Sequence, residues 1–139
     1  MAKGLLMNDL LFPIYLIEDE DVMIFPSIRD VQMQLEPNLI RGDEIAYDAK
    51  GRRLKIETDR RQVKVSVTEE DPMHAAELEA SLRSYLIAMK EPLAKEARCN
   101  LPCLVNLSIK YISRTHTVRD LVMNLWDKII KLAVKLRGR

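Results

Sequence analysis

The sequence predicts an α+β fold: an antiparallel sheet of about five strands, a short helix between strands two and three, and a C-terminal helical part packed on one face. Short apolar runs separated by polar turns fill residues 10–68, which is typical of strands. Apolar residues then recur at helical spacing over residues 71–137. The 139 residues can bury a core without metals or disulfides. We therefore expect a single domain, sheet-rich at first and helical afterwards.

The first two strands are predicted on either side of an acidic turn. The apolar runs LLFPIYLI (residues 10–17) and VMIF (residues 22–25) flank the four-residue polar loop EDED, as in a hairpin. Pro13 donates no backbone hydrogen bond, so we expect it at a sheet edge or at the start of a strand.

A short helix is predicted over SIRDVQMQLEP, residues 27–37. Ser27 can cap its first turn, and Asp30 stands three residues later, close to a capping-box pattern. Pro37 disfavours helical geometry in the residue before it, so the helix is expected to end there. The apolar residues on its predicted inner face are Ile28, Val31 and Leu35.

The stretch EIAYDAKGRRLKI, residues 44–56, predicts a second hairpin. Its polar centre runs from Asp48 to Gly51 and lies between two segments with alternating apolar residues. Gly51 can adopt the positive φ that such a loop requires. The next stretch, QVKVSV (residues 62–67), alternates valine with polar residues, so we expect a strand with one buried and one exposed face.

The C-terminal part is predicted as three helical pieces. The first begins with Asp71 as its cap and Pro72 in its first turn. Residues 100–113 fit either a helix or a strand, and we prefer the helix. A further helix is expected to begin at a capping-box pattern formed by Thr117 and Asp120. The apolar positions are Leu78, Leu82, Tyr85, Leu86 and Met89 in the first helix, and Val118, Leu121, Val122, Leu125, Ile129, Leu132, Ala133 and Leu136 in the last.

The net charge is +1, but charged residues are unevenly distributed. Residues 1–48 and 67–98 are acidic, whereas residues 49–66 and 99–139 are basic, so the fold can gather acidic and basic faces. No uncharged run reaches the roughly 20 residues of a membrane span, and no signal-peptide pattern is present. The two cysteines do not resemble a disulfide framework. We therefore expect a cytoplasmic protein with reduced thiols and no membrane partner.

No motif for catalysis, metal binding or a cofactor is evident. His74 and His116 have no cysteine at ligand spacing, and Cys99 and Cys103 lack the two-residue gap of redox and zinc motifs. There is no glycine-rich phosphate loop and no recognisable nucleophile signature. We expect packing or surface roles for these four residues, and a protein that is not an enzyme, with no catalytic residue, no metal and no cofactor.

Two acidic runs are the candidate binding sites. Acid–base catalysis needs carboxylates in a cleft with pKa values pushed apart, whereas a run of acids in a loop is hydrated. One interpretation is a solvated loop, and the other is an anionic surface that attracts and holds a basic partner protein. The candidate partner-binding residues are Glu18, Asp19, Glu20 and Asp21 in the first run, and Glu69, Glu70 and Asp71 in the second.

Basic residues and the tryptophan leave further alternatives open. Cations cluster over residues 50–64 without an aromatic residue among them, and aromatic residues make up 5% of the chain. Solvated faces therefore explain these cations better than nucleic-acid binding does. Trp126 borders the apolar stripe of the last helix, either as a core or rim residue or at an interface. The opposite face of that helix carries Lys128, Lys131 and Lys135.

One segment carries a family resemblance. DVMIFPSIRDVQMQLEPNLIRGDEIAYDAKGRRLKI, from Asp21 to Ile56, combines a strand, a short helix ending in Leu-Glu-Pro, and a hairpin with the pattern Tyr-Asp-Ala-x-Gly-Arg-x-Leu. In these features the chain resembles a group of small bacterial proteins often encoded beside polymorphic toxins. The resemblance covers about residues 20–88. Members of the group resemble immunity proteins of the contact-dependent growth inhibition type or are uncharacterised.

The resemblance implies a protein-binding function. Such immunity proteins are stoichiometric toxin inhibitors, or antitoxins, that bind a toxin domain, often a nuclease, and block its active site or substrate path. The acidic runs would then face the basic groove of a nuclease. The function expected on this basis is neutralisation of a cognate toxin protein. The alternatives are a secretion chaperone or adaptor, and a nucleic-acid-binding protein that uses the basic strands and the C-terminal helix; a homodimer is left open.

Overall fold

The computed structural model describes the backbone of residues 10–137 and the side chains of these residues outside 115–124 and 127. The described chain forms one sheet, three α-helices and two short 3₁₀-helices, which confirms the predicted α+β class. In chain order these are β1 (Ile14–Glu18), β2 (Asp21–Phe25), α1 (Ile28–Gln34), a 3₁₀-helix (Pro37–Leu39), β3 (Ile45–Tyr47), β4 (Arg53–Asp59), β5 (Gln62–Val67), α2 (Ala75–Ala88), a second 3₁₀-helix (Pro92–Lys95) and α3 (Leu101–Arg137).

The sheet is antiparallel with the strand order β2-β1-β3-β4-β5. β1 therefore lies inside the sheet, and Pro13 stands immediately before it, as the strand-start alternative predicts. The predicted four-residue loop between β1 and β2 is wrong, because Glu18 pairs with Asp21 and leaves only Asp19 and Glu20 in the turn. Asp19 adopts a φ of 53°, and aspartate tolerates this left-handed conformation better than most residues.

One face of the sheet carries the main apolar core. Because side chains alternate along each strand, residues two apart share this face. α1 contacts this region through β2 and β5, and its buried residue Val31 joins the same cluster. The strand residues of the cluster are Ile14, Leu16, Phe25, Ala46, Leu54, Ile56, Val63, Val65 and Val67.

The predicted cap of α1 is confirmed. The Ser27 hydroxyl oxygen accepts a hydrogen bond from the Asp30 backbone N–H at 3.2 Å. Leu35 follows the last helical residue with extended backbone, directly before Glu36 and Pro37. The cap and the proline therefore limit the helix to two turns.

The β3–β4 connection depends on one buried carboxylate and one glycine. Asp48 is fully buried, and its carboxylate accepts hydrogen bonds from the backbone N–H groups of Lys50 and Arg52 and from Arg52 Nε at 2.7 Å. Gly51 has a φ of +86°, and a Cβ there would lie 2.4 Å from the Cα of Ala75. Gly51 is therefore required both by the turn, as predicted, and by the close approach of α2.

α2 begins later than predicted. The expected cap at Asp71 is wrong, because the helix starts at Ala75 with His74 in the cap position. The His74 N–H donates to the Gly51 carbonyl at 3.1 Å, and the Met73 N–H donates to the Asp71 carbonyl at 2.8 Å. These bonds hold residues 71–74 in a turn that joins the hairpin to the helix. Of the predicted apolar stripe, Leu78, Leu82 and Leu86 are fully buried and Met89 is exposed.

α3 is one continuous helix. The preferred helix over residues 100–113 is confirmed, but the separate helix start at Thr117 is wrong, because the backbone stays helical from Leu101 to Arg137. Between residues 103 and 137 there is no glycine or proline to interrupt it. At its start, Asn100 accepts a hydrogen bond from the Cys103 N–H. Cys99 and Cys103 form a disulfide, so the expectation of reduced thiols is also wrong in this structure.

The chain divides into two compact units, one ending at Ile109 and one beginning at Lys110. The first turns of α3 belong to the first unit, where Ser108 is buried and its hydroxyl lies 2.6 Å from the Tyr15 hydroxyl. Ser108 donates to the Val105 carbonyl, so Tyr15 is the donor of the shared bond. Within residues 10–137, no helix combines the length and apolar content needed to cross a bilayer.

Candidate functional site

The first acidic run forms an exposed tight turn. Glu18 is the last residue of β1 and Asp21 is the first residue of β2. The two residues pair with each other across the hairpin, and both are exposed. Asp19 and Glu20 occupy the turn between them. β1 is hydrogen-bonded to both β2 and β3, and this pairing fixes the backbone next to the turn. The four acidic side chains therefore extend from an ordered backbone.

A cleft of about 390 Å³ opens on one side of this acidic turn. Antiparallel pairing of Ile17 with Ile45 brings the loop before β3 beside the end of β1. Glu18 and Asp19 from the turn are thereby joined by two acids from that loop, Asp43 and Glu44. The remaining lining residues are Arg41 and the apolar Leu16, Ile17, Leu39 and Ile45. The acidic cleft, as we name this cavity, combines four carboxylates with one cation and an apolar lining.

Glu44 is held in place by the backbone of its own loop. Its two carboxylate oxygens accept hydrogen bonds from the N–H groups of Arg41 and Gly42 at 2.8 and 2.9 Å. Desolvation raises the pKa of Glu44, but these bonds and the nearby Arg41 cation outweigh it and leave the pKa below its ordinary value. Gly42 permits the loop through a φ of +96°. Glu44 therefore stays ionised at neutral pH.

A second, smaller cleft of about 290 Å³ adjoins the same turn. Asp19 and Ile17 line both clefts, and Glu20 lines this one. Its other wall is the middle of α2, which contributes Ser81 and Ser84. Three of the four predicted acids, Glu18, Asp19 and Glu20, thus border a concave surface, while Asp21 does not line either cleft.

The second acidic run does not join the first. β2 and β5 are the two edge strands of the sheet. The register also places the last residue of β5 and the β1–β2 turn at opposite ends of the strands. Glu70 and Asp71 are exposed there. Glu69 is half-buried, and its carboxylate accepts a hydrogen bond from the Arg53 N–H at 2.7 Å. This contact joins the segment after β5 to the start of β4, which fits a structural role for Glu69.

Glu69 belongs to a polar cluster that the sequence analysis did not identify. His74 has Nε2 3.4 Å from Glu69 and Nδ1 3.3 Å from Glu77. Tyr47 donates from its hydroxyl to Glu77 at 2.9 Å, and the Arg53 guanidinium lies 5.7 Å from the Tyr47 ring centre. Burial, followed by the hydrogen bond and charge of Glu77, raises the pKa of Tyr47. These contacts join β3, β4 and the start of α2.

His74 is partly buried and contacts Tyr47, Glu69 and Glu77, and the packing or surface role predicted for it stays a prediction. The cluster could be found from sequence only by knowing that the β3–β4 hairpin lies against α2. The residues of the cluster line neither of the two clefts at the acidic turn. Among the residues that the structure describes, no group of histidine, cysteine and acidic side chains is arranged to hold a metal ion.

Two lysines of the basic segment, one on β4 and one on β5, are paired with neighbouring acids. Lys55 Nζ lies 2.8 Å from Glu57, and Lys64 Nζ lies 2.7 Å from Asp59. These pairs are half exposed, so they add little stability. The paired acids offset the positive charge of these lysines. Because nucleic-acid binding depends on positive charge that attracts phosphates, the pairs weaken the nucleic-acid interpretation of these strands.

Comparison with known proteins adds no family assignment. No protein-family model, curated protein or solved structure gives a significant match to the chain. The resemblance to toxin-associated immunity proteins therefore stays a prediction, and the candidate site is defined by its geometry: an acidic, concave surface around a rigid β-turn.

Proposed function

We propose that the chain binds a basic partner protein through the acidic cleft and the turn beside it, without catalysis of its own. The observation that carries this proposal is the convergence of Glu18, Asp19, Asp43 and Glu44 from two separate segments onto one cavity with an apolar lining. Such a cavity suits a lysine or arginine side chain, because its aliphatic stem can contact apolar residues while its charged end meets carboxylates.

The rigidity of the surroundings supports binding to a protein. The turn joins two strands of the sheet, and the backbone around Glu44 is fixed by hydrogen bonds. A surface that is already ordered loses little conformational entropy when a partner binds. Carboxylates of one sign also increase the rate of encounter with a cationic surface.

The family resemblance, and not the state of the cysteines, supplies the proposed biological role: a cytoplasmic bacterial immunity protein that neutralises a cognate toxin. A toxin nuclease presents a basic substrate groove, and the acidic cleft has the complementary charge. An inhibitor that occludes such a groove requires no reactive group. The secretion-adaptor and nucleic-acid alternatives remain hypotheses that no feature of the acidic cleft favours.

The proposal is tested by mixing the purified protein with the toxin domain encoded by the neighbouring gene and measuring association by biolayer interferometry. The variant Glu18→Lys with Glu20→Lys should slow association by roughly tenfold at low salt, because steering by the turn is reversed. The variant Glu70→Lys with Asp71→Lys changes the net charge equally at the other end of the strands, and it should bind almost normally. Equal loss in both variants would remove the turn from the interface, and the absence of any complex would contradict the proposed role.

A further inference from the structure

The last part of α3 exposes an unusual amount of apolar surface. Between 50% and 60% of each of Leu125, Trp126, Ile129, Ile130 and Leu132 is accessible, and Leu136 reaches 65%. At 3.6 residues per turn these six side chains fall within an arc of about 160°. We call these six residues the exposed stripe. Contiguous apolar patches on soluble proteins mark surfaces that contact something else.

Cations line one border of the exposed stripe. Lys128 and Lys135 follow one border of the stripe, and Lys131 lies on the far side of the helix; all three are exposed. Arg137 stands at the described end of the helix. From residue 125 to residue 137 the sequence offers these four cations and a single acid, Asp127. The excess of cations means that an occupant of the stripe must be compatible with positive charge, above all along the border of Lys128 and Lys135.

We propose that the exposed stripe binds to the surface of an anionic lipid membrane, with the last part of α3 lying in the plane of the interface. A helix with lysine beside a face of tryptophan, isoleucine and leucine has the composition of interfacial helices. The apolar side chains would enter the boundary between headgroups and acyl chains, and the lysines would extend to anionic headgroups. Tryptophan favours this depth because its ring is apolar and its N–H is polar.

A second copy of the chain accounts for less of the stripe. Leu125, Ile129, Leu132 and Leu136 are spaced like the core of a two-stranded coiled coil. Ile130 lies outside that narrow seam and would stay exposed, and Trp126 flanks the seam and would be covered only in part. The positions that flank the seam between residues 125 and 137 hold Lys128 and Lys135 and no acid, so two copies would form no flanking salt bridge. A lipid surface covers all six residues and also complements the charge.

The chain contains one tryptophan, which makes the test specific. Trp126 fluorescence should shift to shorter wavelength, and acrylamide should quench it less, when the full-length protein meets vesicles of phosphatidylcholine mixed with phosphatidylserine. Vesicles of phosphatidylcholine alone should produce a much smaller change. Added salt should weaken binding, because the attraction between lysines and headgroups is screened.

Matched variants separate the stripe from general effects. Ile129→Glu with Leu132→Glu should abolish vesicle binding, whereas Met33→Glu, at a residue that is 73% exposed on α1, should retain it. Lys128→Gln with Lys135→Gln should lower the vesicle partition coefficient roughly tenfold or more. Lys50→Gln with Lys95→Gln removes the same net charge elsewhere and should change it little. Circular dichroism checks that each variant keeps its helical content.

Three results would overturn the proposal. One is unchanged Trp126 emission with phosphatidylserine vesicles at low salt. Another is equal binding to vesicles with and without phosphatidylserine, which would remove the role of the cations. The third is a Trp126 shift that rises with protein concentration in the absence of lipid, together with a dimer mass by light scattering, because a second copy would then cover the stripe.

Discussion

α2 and the last part of α3 show the same pattern in sequence and opposite burial in the structure. Both repeat apolar residues at helical spacing. Leu78, Leu82 and Leu86 of α2 have no accessible surface, whereas Leu132 and Leu136 of α3 are 60% and 65% exposed. Apolar periodicity thus identifies the apolar face of a helix. Whether that face is buried depends on whether another element packs against it.

The contrast also extends to polar groups. In the first unit, Arg83 on α2 donates hydrogen bonds to the carbonyls of Ala94, Glu96 and Cys99 at 2.6 to 2.9 Å. One guanidinium thereby connects α2 to the segment that leads into α3. Buried leucines and a multiply bonded arginine together make α2 part of a cooperative core.

The largest expected effect tests this contrast directly. Leu82→Ala should lower the free energy of unfolding by about 4 kcal/mol, because it leaves a cavity in a fully packed site. Leu132→Ala, at an exposed site, should change it by less than about 0.5 kcal/mol. Urea unfolding followed by circular dichroism measures both. A large loss for Leu132→Ala would show that the exposed stripe is packed in solution.

A second prediction concerns the close approach of the β3–β4 hairpin to α2. Gly51→Ala should lower the free energy of unfolding by about 3 kcal/mol, because its Cβ meets the Ala75 backbone and its φ is left-handed. Gly42→Ala has a similar φ but open space around it, so about 1 kcal/mol is expected. Thermal unfolding compares the two. Equal losses would mean that α2 does not rest on the hairpin.

The third prediction compares a buried with an exposed ion pair. Asp48→Asn removes the charge beside Arg52 and one acceptor of the buried turn, so the free energy of unfolding should fall by about 2 kcal/mol. Glu96→Gln affects the exposed pair with Arg98 and should have no measurable effect in urea unfolding. A neutral Asp48→Asn would show that the turn does not need its carboxylate charge.

The smallest effect concerns the bond that ties β1 to the start of α3. Tyr15→Phe should cost about 1 kcal/mol at neutral pH, and a double-mutant cycle with Ser108→Ala should assign that loss to the shared hydrogen bond. Additive losses in that cycle would contradict the pairing.

The same residue predicts a dependence on alkaline pH. Burial raises the pKa of Tyr15 well above its ordinary value. Above about pH 10, the ordinary tyrosine pKa, the unfolded chain releases a proton that the folded chain retains, so stability falls as pH rises. Unfolding titrations should show a shallower fall for Tyr15→Phe than for the unmodified protein. Parallel curves would place the hydroxyl in water.

Local signals predicted much of the sheet-rich region. Valine alternation identified β5, Ser27 identified the start of α1, and Gly51 identified a turn. Helix starts were harder to predict. Asp71 fits a cap by residue type, but the hydrogen bond from His74 to Gly51 delays α2, and that bond joins residues far apart in sequence.

The candidate site was predicted only in part. The acids of the β1–β2 turn were identified as a group, yet Asp43 and Glu44 were not linked with them. Their approach follows from the pairing of β1 with β3, which no local pattern encodes. The same limit prevented prediction of the cluster around His74, whose members come from both strands of the β3–β4 hairpin, from the residues after β5 and from the start of α2.

The sequence by itself determined the α+β class, the five strands and the positions of most turns, because these depend on side-chain spacing and on the local backbone preferences of glycine, proline and serine. Only the tertiary structure decided which acids share a cleft, where α2 begins and which apolar helix face is buried. The physical reason is that each of these depends on contacts between segments distant in the chain. Such contacts arise from the strand order and from packing, and residue spacing within one segment carries no information about them.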